Sequence, residues 1–148
     1  DVYGSFNSYS FMKKCAEDLV KKAHPESLIL RLPAILGPTI RKNSLIRLME
    51  GETITLHPES IFNYVLQNDI LEAVTDEKSL EHAGVYNFVA ASSVSLRELA
   101  QHYKKDVRFG TYRYTTSLID APLVENLYPY PDRTSLEVVE LFLRNYYG

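Results

Sequence analysis

Tyr9 and Lys13 stand four residues apart, the spacing that puts two side chains on one face of a helix. A cation beside a phenol stabilises its phenolate, so the pair suits proton transfer at a hydroxyl or carbonyl during hydride chemistry. With eleven tyrosines and eight lysines in 148 residues, roughly 0.6 such pairs arise by chance. Taken alone the pair reads more readily as a surface tyrosine and lysine on an amphipathic helix, so its surroundings must decide. His24, His57, His82 and His102 are far apart and lack ligand spacing with cysteine or acids, which argues against a metal site. The single Cys15 cannot form an internal disulfide, which fits a reducing, cytoplasmic compartment.

Hydrophobic spacing outlines the elements that must hold the pair. From Ser8 onward Met12, Ala16, Leu19, Val20 and Ala23 recur at helical intervals, with Asn7 or Ser8 as N-cap and Pro25 as the stop. Ser27 to Leu32 is a continuous apolar strand of the kind that parallel sheets cover on both faces. Helices are predicted over Ser44 to Glu50, closed by Gly51, and over Asn68 to Val74, capped by Asn68 or Asp69. Val85 to Val89 reads as a strand, and Ser95-Leu96-Arg97-Glu98 as a capping box. A strand over Val107 to Tyr114, a short helix over Leu118 to Leu127 and a last helix from Ser135 to Tyr146 follow, with Pro129 and Pro131 separating the last two. Strands alternating with helices define an α/β class. There is no internal repeat.

At 148 residues, 45% hydrophobic and 24% charged, the chain can bury the core of one domain. A net charge of −3 with mixed signs, and no Lys/Arg run beyond two residues, leaves no basic face for nucleic acid. Arg31 and Pro33 interrupt the longest apolar stretch and no leader precedes it, which argues against a membrane role.

Ordered along the chain, Val2-Tyr3-Gly4, Tyr9-Ser10-Phe11-Met12-Lys13, Glu17, Arg31-Leu32-Pro33 through Gly37-Pro38, Gly51-Glu52-Thr53-Ile54 and Gln67-Asn68-Asp69-Ile70 form one series. Val85-Tyr86-Asn87-Phe88, Ser95 to Leu99 and Thr134-Ser135-Leu136-Glu137 continue it. This series resembles the extended branch of the short-chain dehydrogenase/reductases, the NAD(P)-dependent epimerase/dehydratase family. The motifs match its V-Y-G, Y-x-x-x-K, R-x-x-N-x-x-G-P, G-x-x-I and V-D-D-V patterns, then its late strand and terminal helix. The resemblance implies the later part of a Rossmann-type parallel sheet plus the small substrate-binding lobe. Family members are about twice as long and open with a Gly-rich turn for the dinucleotide pyrophosphate. No such turn occurs here, so the expectation is a carboxy-terminal portion whose catalytic Ser/Thr lies just before Asp1.

By resemblance Tyr9 is the acid/base, Lys13 holds the ribose and supports the tyrosine, and Pro33 contacts the nicotinamide of NAD or NADP. Pro33 also reads as a proline closing a strand. The implied function is an oxidoreductase or epimerase acting on a hydroxyl or carbonyl small-molecule substrate, a sugar derivative, as a homodimer or in association with its own missing first half. The alternative is a non-enzymatic dinucleotide-dependent regulator of the same fold. Two departures bear on this choice. Ala34 stands where the family often has a substrate-contacting asparagine, and Phe62-Asn63 where it commonly has Arg-Asp, the arginine pairing with a diphosphate. An aromatic ring lacks the donors that phosphate needs. Arg41, Lys42 and Arg47 are possible substitutes, though each also reads as a solvated charge. The link between Gly4 and Tyr9 is shorter than the family's. Tyr112, Tyr114, Tyr128 and Tyr130 could line a pocket or be half-buried strand and loop residues.

Overall fold

A computed structural model describes residues 8–115 and 132–147; the helix expected over 118–127, together with Tyr128 and Tyr130, lies outside them. The first element is α1, Ser8–Ala23. Pro25 cannot continue it, and a tight reversal follows in which the His24 amide donates to Val20 O (2.7 Å) and the Ser27 amide to His24 O (3.0 Å). The chain returns along the helix as β1, Leu28–Arg31, and resumes after Leu32-Pro33 as β2, Ala34–Leu36.

Among the described residues three of the four strand pairs are parallel, as an α/β chain requires. β1 pairs with β6, Gly84–Asn87, in the register Leu28 to Gly84 through Arg31 to Asn87. β2 pairs with β5, Tyr64–Leu66, and β3, Ile54–Leu56, with β8, Phe109–Tyr112. The antiparallel pair joins β4, Ile61–Phe62, to β7, Val94–Ser95. A methyl group on Gly110 would stand 2.0 Å from the Thr55 carbonyl oxygen, so the β3–β8 approach depends on a residue without a Cβ.

Helices α2 (Ser44–Met49), α5 (Leu96–His102) and α6 (Ser135–Tyr146) pack over these strands. Leu45, Leu48, Ile54, Leu96, Leu99, Val138, Val139 and Phe142 are buried in the resulting core. A smaller cluster of Val65, Ala73 and Phe88 lies under α3, Gln67–Thr75; α4, Glu77–Leu80, follows. The expected capping box is present. The Glu98 amide donates to Ser95 Oγ (3.1 Å) and the Ser95 amide to Glu98 Oε2 (2.7 Å), and Thr134 with Glu137 caps α6 the same way.

Two expectations differ from the structure. Helix α3 begins at Gln67, with Leu66 as an N-cap that makes no side-chain bond. Asp69 instead lies in the first turn, where its charge suits the helix dipole. The apolar strand is not covered on both faces: Leu28, Ile29 and Leu30 are half-buried. Nothing in α1 is buried, and Phe11 and Leu19 are 52% and 67% exposed. The described residues supply one helix and one neighbouring strand to this edge, less than a doubly covered sheet needs.

Candidate functional site

Geometry at the α1 end of the fold follows from one ion pair. Glu17 receives two hydrogen bonds from Arg31, from Nε (2.9 Å) and from Nη2 (3.0 Å), and Lys21 adds a third at 3.1 Å. These bonds, Arg31 first, hold the Glu17 carboxyl down at about 2, against a smaller opposing effect of burial. The pair fixes the register of α1 against β1. Lys13, one turn before Glu17, lies about 6 Å further along the helix and Tyr9 about 12 Å, in the direction in which β1 runs out to Pro33. Both project from the helix as exposed side chains, Tyr9 at 68%. The Lys13 ammonium sits 5.6 Å from the centroid of the Tyr9 ring, in cation–π range. The structure therefore brings the two together, over the ring face.

Pro33 and Ala34 are half-buried, and the Ala34 amide donates to the Asn63 carbonyl (3.1 Å). This contact places the Phe62-Asn63 link beside the Pro33-Ala34 link, both beyond the carboxyl end of β1. Crevices at the carboxyl ends of parallel strands are where α/β sheets bind ligands. Phe62 is the shared ring of two stacked pairs, with Tyr64 at 5.8 Å and Tyr114 at 5.1 Å. Tyr114 thus serves the stack, with part of its surface in solvent.

Two of the three substitute cations, Lys42 and Arg47, are engaged with acids. Lys42 bonds both Glu50 and Glu52 at 2.5 Å, and Arg47 reaches Glu52 at 3.2 Å. Two long-range side-chain ties are not visible in the sequence. Asn63, 4% exposed, bonds the main chain of Ala90 in both directions. Arg133 Nη1 reaches both oxygens of the buried Asp69, at 3.1 and 3.3 Å. Among the described residues no group of three or more His, Cys, Asp or Glu could hold a metal ion, and no helix is long and apolar enough to cross a membrane.

No family model and no curated protein matches the sequence, but solved structures match the fold. The ADP-L-glycero-D-manno-heptose-6-epimerase of Helicobacter pylori superposes with a TM-score of 0.64 at 20% identity, over 96% of this chain and 54% of that one. RMD from Pseudomonas aeruginosa, complexed with NADPH, gives 0.66 at 17% identity, over 95% and 56%. UDP-glucuronic acid 4-epimerase from Bacillus cereus, in complex with UDP-glucuronic acid and NAD, gives 0.67 at 18% identity, over 92% and 52%. The chain spans about half the length of each of these proteins. Its α/β fold is shared with a little over half of each of these three proteins.

Proposed function

We propose that the whole protein is an NAD(P)-dependent oxidoreductase or epimerase acting on a hydroxyl or carbonyl of a sugar derivative in the cytoplasm, and that this chain supplies its acid/base pair and substrate lobe. The observation that carries the reading is Tyr9 and Lys13 together on α1, in a fold shared with proteins whose complexes hold NAD or NADPH. Two exposed polar side chains on α1 suit a ribose diol, and a half-buried proline after β1 suits an apolar nicotinamide face. When bound, the nicotinamide supplies the hydride acceptor or donor. Tyr9 takes the proton from a substrate hydroxyl as hydride leaves the carbon, or returns it to a carbonyl oxygen. Lys13 holds the ribose and balances the charge that develops on Tyr9. Pro33 presents a surface with no amide donor, against which a nicotinamide would pack.

Phe62, stacked between two tyrosines, favours a second reading as a dinucleotide-dependent regulator, because it offers no donor to a diphosphate. The exposed apolar residues of α1, Phe11 and Leu19 foremost, take as partner a second copy of the chain or the remaining half of the fold. Calorimetric titration of the full-length protein with NAD and with NADP tests the dinucleotide reading. Saturable binding of one of them is expected, and binding of neither would overturn it.

A further inference from the structure

Asn63 joins three segments. Its carbonyl accepts from Ala34 N at 3.1 Å, which extends the β2–β5 pairing by one residue. Its carboxamide donates from Nδ2 to Ala90 O at 3.0 Å and accepts at Oδ1 from Ala90 N at 2.9 Å, and Nδ2 also stands 3.5 Å from Ser92 O and from Ser93 Oγ. Ala90 lies three residues beyond the end of β6, and between them the Phe88 amide donates to Arg31 O at 3.0 Å. One buried side chain therefore ties the β1–β6 pair, on which α1 is registered through Glu17 and Arg31, to the β2–β5 pair that starts at Pro33-Ala34.

The chemistry of the tie is specific. A carboxamide presents a donor and an acceptor side by side, as a peptide group does, and so can pair with both main-chain groups of one residue. A carboxylate of the same shape has no donor for Ala90 O, and a single hydroxyl cannot span both groups. At 4% exposure water cannot replace the lost partner at low cost.

We propose that Asn63 is a positioning residue: it fixes the Pro33-Ala34 segment relative to the helix carrying Tyr9 and Lys13, and so sets where the nicotinamide ring lies. This rests on the reading of Pro33 as the nicotinamide contact. The adenosine diphosphate portion of the dinucleotide is bound elsewhere and does not depend on Asn63.

Titrating the full-length protein and its Asn63→Leu variant with NADH and with ADP-ribose, which lacks only the nicotinamide, tests this. Asn63→Leu, which removes both bonds to Ala90, is expected to weaken NADH roughly tenfold and to leave ADP-ribose within about twofold. Asn63→Ser, a smaller perturbation, should show the same split. Equal weakening of both ligands, or of neither, would assign Asn63 a purely structural role and overturn the proposal while the dinucleotide reading stands. A wild-type protein that binds neither ligand would defeat that reading and this proposal with it. Amide exchange on the wild-type protein checks the tie without any variant: the Ala34 and Ala90 amides should exchange at least about tenfold more slowly than the exposed Ser92 and Ser93 amides, and equal rates would also overturn it.

Discussion

Tyr9 and Lys13 were legible because a helix converts sequence spacing into spatial contact, and the 5.6 Å approach of the ammonium to the ring is the direct result of a four-residue separation. Asn63 and Arg133 were not legible. Their partners lie 27 and 64 residues away, and nothing local in either residue announces a pairing that only the assembled sheets create. Phe62 falls between these cases: the sequence shows an aromatic ring at that position, while its stacking on Tyr114 depends on strands meeting across the lobe. At this scale the expected outcome concerns Lys13. On the proposed reading Lys13→Met loses both the ribose contact and the charge beside Tyr9, so NAD or NADP affinity and turnover in the full-length protein should fall together. Calorimetry and a turnover assay on the same preparation check this, and a variant that loses neither would remove Lys13 from the site.

The helices emerged from the sequence more completely than the strands. Long amphipathic runs such as α1 and α6 repeat their pattern over several turns, and the Ser95–Glu98 capping box marks its helix start through a local reciprocal bond. Strands β2, β3, β4, β5 and β7 span two or three residues each, too few for alternation to register. Pairing with distant segments defines them instead. The ion pair that sets α1 on β1 also carries a pH signature. Glu17 is lowered from an ordinary 4.5 to about 2, chiefly by Arg31, so its contribution is present in full above pH 4.5 and is lost as pH falls toward 2. Arg31 is 47% exposed, and solvent screening keeps the contribution small. Amide exchange in α1, taken relative to the intrinsic unprotected rate at each pH, should accelerate across that interval in the wild-type protein. In Glu17→Gln it should already be faster at neutral pH and should lack that step, whereas matching profiles for the two proteins would show that the pair does not anchor the helix.

For the whole molecule, the described residues pair three strand pairs in parallel, superpose on about half of each of three solved structures and leave one edge thinly covered. Phe11, Met12 and Leu19 expose 52%, 64% and 67% of their surface along α1, and neighbouring apolar residues of this kind mark a surface that seeks a partner. The 148-residue chain alone should therefore self-associate. Sedimentation at rising concentration checks it, and a 17.0 kDa monomer that persists at high concentration would contradict the assignment of this face to a partner. On the proposed reading the activity belongs to the full-length protein, and its most direct test is the removal of one oxygen atom. Tyr9→Phe should leave NAD or NADP affinity nearly unchanged while turnover of a sugar substrate falls by roughly 10²- to 10⁴-fold, the loss expected for a positioned acid/base; full activity in Tyr9→Phe would contradict the account.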